Sequence, residues 1–178
     1  ATTFPTLYPF LHTEFSEIET AVRVYDSGFG GFQQHIKRGE NVFSDLRIYF
    51  ADSTLFDVFD FQLTSGHPNK LLNRPGTAVI SRTTASKIFG DGDPIGKVLT
   101  YQGTTDLEIT GVIEDILSNS HMHFDIVINM QDHPWIIKTH WNGLVFATYV
   151  LLNESVDTKF LEGKINQLYL QAEPSGGF

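Results

Sequence analysis

The chain has 178 residues, 41% of them hydrophobic and 19% charged, which suits one folded domain or two small lobes and excludes a disordered or coiled-coil class. Twelve Lys and Arg against 21 Asp and Glu give a net charge of −9, and the cations are scattered, so a nucleic-acid backbone or an anionic membrane surface would be repelled. Cysteine is absent, which excludes disulfides, thiolate metal sites and Cys nucleophiles.

In chain order, Leu7, Phe10, Leu11 and Phe15 recur at helical spacing, with Pro9 tolerable near a first turn. From Ile18 to Tyr25 apolar and polar residues alternate as in a half-buried strand, ended by Gly28, Gly30 and Gly31. Gln33 to Glu40 reads as a polar edge strand, and Leu46, Ile48 and Phe50 resume the alternation. Ser53 is placed to cap a short buried helix through Phe59, and Gly66 to Pro75 reads as a loop.

The clearest local unit follows. Ala78 to Ile80 is extended, Ser81 is an N-cap, Ala85, Ile88 and Phe89 form an apolar helix face, and Gly90 terminates it. Asp91 to Gly96 is rich in turn residues, and Val98 to Tyr101 with Leu107 to Ile113 reads as a hairpin around Gln102-Gly103. Asp125 to Asn129 is a further strand, and Phe146 to Leu152 is strong in β-branched and aromatic residues. A last helix, capped by Ser155 or Asp157, carries Phe160, Leu161, Ile165 and Leu168 as its expected buried stripe. Strands and helices do not alternate as in a doubly wound fold, so the class is α+β.

Chemistry-bearing residues form no complete set. His121 and His123 would share a face on a strand, but their nearest additions, Asp125 and His133, have no recognised ligand spacing for zinc. Asp91-Gly-Asp93-Pro94-Ile-Gly96 has two carboxylates near a glycine yet lacks the third oxygen ligand and distal Glu of a calcium loop. Phe29-Gly-Gly-Phe32 has too few glycines for a phosphate cradle. No Gly-x-Ser-x-Gly elbow is present, and the acid pairs Asp57 with Asp60 and Glu114 with Asp115 read as solvated residues on amphipathic elements. We therefore expect no enzyme, no metal site and no cofactor.

Four motifs in register carry a resemblance. They are Ala51-Asp52-Ser53 with Phe56-Asp57-Val58-Phe59-Asp60-Phe61; Ala78-Val79-Ile80-Ser81 leading to Ala85-Ser86-Lys87-Ile88-Phe89-Gly90; Asp93-Pro94-Ile95-Gly96-Lys97; and Ile109-Thr110-Gly111-Val112-Ile113 with Asn119-Ser120-His121 and Phe124-Asp125. In order and spacing they resemble the periplasmic core domain of MacB-like and FtsX-like ABC-transporter permeases. Glu14 to Glu19 and Phe146 to Leu152 extend the likeness toward both ends.

The resemblance implies two lobes, a porter-like one from residues 1–44 and 131–178 and an inserted α+β lobe from 45–130. It implies a fragment on the periplasmic side of a bacterial inner membrane, with membrane helices before Ala1 and after Phe178. It further implies a module without catalytic residues that relays ATP-driven movement. The partners it implies are a cytoplasmic ATPase subunit or domain, a second permease copy and, in some members, a periplasmic adaptor protein. The competing readings are a stand-alone periplasmic ligand-binding or hydrolytic protein and a cell-division regulator of the FtsX kind.

Overall fold

The computed structural model describes residues 2–3, 7–28, 31, 33–133 and 146–172. The elements in chain order are β1 (Thr2–Thr3), α1 (Leu7–Glu14), β2 (Ile18–Asp26), β3 (Ile36–Arg38), β4 (Asn41–Phe43), β5 (Ile48–Ala51), α2 (Leu55–Val58), β6 (Leu63–Gly66), β7 (Thr77–Ser81), α3 (Arg82–Phe89), β8 (Val98–Tyr101), β9 (Thr105–Ile113), β10 (Ile126–Asn129), β11 (Phe146–Leu152) and α4 (Thr158–Ala172). Among the described residues the strands form one mixed sheet in the order β1-β11-β2-β5-β10-β7-β9-β8-β3-β4, with β6 on β9. The α+β expectation thus takes the form of a single continuous sheet.

Alternation along each central strand explains how one sheet supports cores on both faces. Ile126 and Ile128 of β10 and Ala78 and Ile80 of β7 face one core, which α3 closes with Ile88 and Phe89. Val127 and Val79, between them, face a second core closed by Leu55 of α2 together with Leu71, Leu72, Met122 and Phe124. A third cluster lies beyond β2, where Leu11 of α1, Phe15 just after it and Leu161 of α4 pack on Ile18 and Ala21.

The strand-cap-helix unit forms as its residues dictate. Ser81 Oγ accepts from the Thr84 N–H at 3.2 Å, and Gly90 ends α3 at a φ of 63°, where a side chain would be strained. At the β8–β9 turn Gln102 and Gly103 both take positive φ, and the Thr104 N–H returns to the Tyr101 carbonyl, as in the type I′ turns that suit a twisted hairpin.

The structure corrects four expectations. Ser53 does not cap α2. Thr54 precedes that helix instead and makes no side-chain cap bond, because its hydroxyl donates to the Ala21 carbonyl at 2.6 Å. The Gly66–Pro75 loop begins inside a strand, β6, and holds a 3-10 turn at Pro68–Lys70. Gly66 sits so close to β9 that an added Cβ would collide with the Thr110 carbonyl. Gln33 to Glu40, read as an edge strand, holds β3, which is paired on both sides, with β4 on one and β8 on the other, so that β4 is the edge. Finally, Phe160 is 62% exposed while Leu161 is buried, because α4 is rotated so that Leu161 and Ile165 meet the sheet. Leu168 of the same stripe, like Phe29 and Phe32, has a side chain outside the described residues.

Candidate functional site

The sequence candidates for chemistry do not converge. His121 and His123 lie outside any strand, the first exposed and the second half-buried, with Met122 and Phe124 buried between and after them. His121 Nε2 lies 3.0 Å from the Tyr149 hydroxyl of β11, directed toward an aromatic neighbour. Asp125 is held by Arg47, and His133 is buried against the rings of Tyr25, Phe50 and Phe146. Among the described residues no three His, Asp or Glu gather to hold a metal ion.

Other acidic candidates serve the structure locally. Asp93 accepts from the Ile95 N–H at 2.9 Å and closes a turn. Glu114 pairs with Arg82, while Asp115 accepts from the Thr83 N–H and hydroxyl at the start of α3. Burial pushes the Asp115 carboxyl upward, but those bonds, with Ser81 and the Arg82 charge, together bring it below its ordinary range. Asp57 and Asp60 are exposed.

The structure instead brings together a junction that sequence reading missed, centred on β5. This short strand joins the end strands to the rest of the sheet, antiparallel to β2 and parallel to β10. Its ladder with β2 is three pairs long, from Asp26 opposite Tyr49 to Val24 opposite Ala51. Past Ala51 the chain turns toward α2, and Arg23, opposite Thr148 of β11 on its other side, has no β5 residue to pair with. Asp52 takes over. Its carboxylate accepts from the Arg23 N–H at 2.9 Å and from Nε and a terminal nitrogen of the guanidinium at 2.9 and 2.7 Å, and its own N–H donates to the Arg23 carbonyl at 3.2 Å. The Tyr8 ring of α1 lies 4.6 Å from the guanidinium carbon. Both side chains are nearly buried, 13% and 12% exposed.

The same arrangement recurs at the other end of β5. Asp125 accepts from the Arg47 N–H at 2.7 Å and from its guanidinium at 3.3 Å, and the Asp125 N–H donates to the Arg47 carbonyl at 2.8 Å. Here Arg47 is 60% exposed and Asp125 23%. The Asp125 bond, partly offset by burial, holds the Arg47 guanidinium above its usual range. Beside this end, Ser27 donates to the Ile48 carbonyl through both N–H and hydroxyl. Burial, followed by the charge of Asp26 and a hydrogen bond with it, pushes the Tyr49 hydroxyl up to about 12.

Aromatic side chains bridge the junction on both faces. On one, Tyr149 of β11 meets Phe59 edge-on at 5.0 Å and His121 at 5.5 Å. On the other, Tyr25 of β2 meets His133 at 4.5 Å and Phe146 at 5.7 Å, with Phe50 of β5 4.9 Å from His133. Such contacts, clamps and ladder resist relative motion of the two parts of the sheet. Arg23 looks like one more polar strand position and Asp52 like a helix start, and no spacing links them; the place of Asp52 in the Ala51-Asp52-Ser53 motif was the available signal.

The comparisons fall in line with this architecture. Residues 2–168 match the family model of the MacB-like periplasmic core domain. No match was found among curated proteins. Among solved structures, a domain of a permease protein from Porphyromonas gingivalis is 22% identical with a TM-score of 0.81, over 97% of this chain and 78% of that one. The periplasmic region of MacB from Actinobacillus actinomycetemcomitans is 15% identical with a TM-score of 0.71, over 96% and 75% of the two chains. The extracellular domain of the noncanonic ABC-type transporter YknZ from Gram-positive bacteria is 18% identical with a TM-score of 0.63, over 93% and 81%.

Proposed function

The chain belongs to the MacB-like periplasmic core domain family, the periplasmic domain of an ABC-transporter permease, and from that premise we propose that it relays ATP-driven movement mechanically and performs no catalysis. The observation that carries this reading is the single hydrogen-bonded sheet running from β1 and β11 to the far edge at β4. A displacement entering through segments that flank the terminal strands would pass across β5 and emerge at the opposite edge without crossing a flexible linker. No described helix is long and apolar enough to cross a membrane, so this reading leaves the crossing to other parts of the permease.

The proposed division of labour has two lobes. The terminal lobe comprises 1–44 and 131–178 apart from the 36–43 hairpin, which travels with the inserted lobe of 45–130 because β3 pairs with β8. The movement would come from a cytoplasmic ATPase through membrane helices and be shared with a second permease copy. A periplasmic adaptor protein would dock on the side away from the membrane.

The test uses the whole permease with its ATPase in a lipid bilayer, spin-labelled at Val42, which is 55% exposed on β4. The expected result is a shift in the distance between the labels of two copies when ATP is bound and hydrolysed. Identical distance distributions with and without ATP, in a permease that hydrolyses ATP normally, would overturn the relay.

A further inference from the structure

We propose that β5 is the coupling strand of this domain, and that the Arg23–Asp52 clamp fixes the angle between the end strands and the remainder of the sheet. The proposal rests on the relay reading for its purpose, whereas the coupling itself belongs to this chain alone.

The argument begins with what a sheet needs at a strand end. A strand that stops leaves its neighbour with unpaired N–H and C=O groups, costly to bury and free to rotate if solvated. At both ends of β5 an aspartate carboxylate accepts from the backbone N–H and the guanidinium of an opposing arginine; past Ala51 the Asp52 N–H also meets the Arg23 carbonyl, whereas the Arg47 carbonyl accepts from the Asp125 and Ile126 N–H groups together. The pairing therefore continues one residue past the strand on each side, with side-chain bonds added to backbone bonds. One clamp ties β5 to β2 and the other ties it to β10.

The two clamps are unequal. The Arg47–Asp125 guanidinium contacts are 3.3 Å long and Arg47 is largely solvated, so water competes with them. The Arg23–Asp52 contacts are 2.7 to 2.9 Å long, two-pronged and nearly dry, the setting in which charge-assisted bonds hold geometry most firmly. The firm clamp also sits at the seam where β1, β11 and β2, with α1 above them, meet the rest of the sheet. Thr54 strengthens the same corner by bonding the Ala21 carbonyl. A carboxylate at position 52 is thus placed to set the orientation of the terminal part, beyond adding to general stability.

The experiment uses this 178-residue chain in solution, spin-labelled at Val42 on β4 and at Phe160 on α4, both exposed. Asp52→Asn keeps the shape and removes the charge. We expect a broadened inter-label distance distribution, and exchange of the Tyr25 and Ser27 amides, which face β5, about tenfold faster relative to Val79 and Ile80. Asp125→Asn should change that ratio by less than about twofold and leave the distances unaltered. Where Asp52→Asn fails to fold, Arg23→Lys, which keeps charge but loses the fork, should give the same broadening to a smaller degree. An unchanged distance distribution in a folded clamp variant, with exchange faster everywhere alike, would overturn the proposal, as would equal effects of Asp52→Asn and Asp125→Asn. Because no ATPase is involved, failure here leaves the relay standing, and failure of the ATP-driven shift leaves the coupling standing.

Discussion

Phe89 and Phe160 both sit on helices that pack against the same sheet, yet the first is 8% exposed and the second 62%. The difference lies in how the two regions are assembled. Around α3, neighbours in sequence are neighbours in space: β7 leads directly into the helix through Ser81, and the β8–β9 hairpin follows at once. Phe89 is enclosed by the resulting core, with the Arg38 guanidinium 4.5 Å from its ring. The other end of the sheet joins β2 to β11 from opposite ends of the chain, and α4 lies over that pair through Leu161 and Ile165, leaving Phe160 beside Lys164. Local assembly gives a deep core, whereas the long-range pairing is covered more thinly.

The sharpest way to break this contrast is to empty the deep side. Phe89→Ala should cost about 3 to 5 kcal/mol, the range for removing a large aromatic from a packed core. Urea melts measure it, and a loss below about 1 kcal/mol would show that α3 covers the sheet as loosely as α4 does.

The same contrast explains what could be read from the residues alone. Ser81, Gly90 and the alternation from Ile18 to Tyr25 act within a few positions, and the elements they specify are present. Pairing is another matter. The alternation of β2 is equally compatible with many partners, and nothing at residue 23 points to residue 52. In α4, Phe160, Leu161 and Ile165 are equally apolar, so periodicity left open which way the helix is turned; contact with Val150 and Leu152 decides it. The β5 clamps join Asp52 to Arg23 and Asp125 to Arg47 through long-range pairing, which no local pattern encodes, and they were hidden for that reason.

A second effect probes the place where the two regions meet. Burial pulls the His133 imidazole down to about 4, and the rings of Tyr25, Phe50 and Phe146 surround it. The unfolded chain binds that proton near pH 6.5, so the folded state holds fewer protons between about pH 6.5 and 4. Stability from this group is therefore complete above about pH 6.5 and is lost as the pH falls toward 4, by at most about 3 kcal/mol. Asp132 works in the opposite sense, since burial raises its carboxyl despite the bond from the Gly76 N–H. Comparing urea midpoints at pH 7.5 and 5 for the parent and for His133→Phe separates the two. The parent should lose stability at pH 5 and the variant much less; equal losses would place the acid sensitivity outside the junction.

The smallest effect is expected at the thinly covered end. Phe160 contributes one exposed face and the contact of Lys164 with its ring at 5.0 Å, a cation–π arrangement worth about 0.5 kcal/mol where water reaches both groups. Lys164 is held independently by Glu17, whose carboxyl that bond draws below its ordinary range. Truncating the ring therefore leaves the lysine anchored and the Leu161 and Ile165 contacts in place. Phe160→Ala should change stability by no more than about 0.5 kcal/mol, whereas Leu161→Ala, one residue along the same helix and 3% exposed, should cost about 2 kcal/mol or more. The pair measured in one urea series is decisive for the rotation of α4: comparable losses at both positions would mean that the helix turns Phe160 inward and that the terminal end of the sheet is as deeply covered as the inserted one.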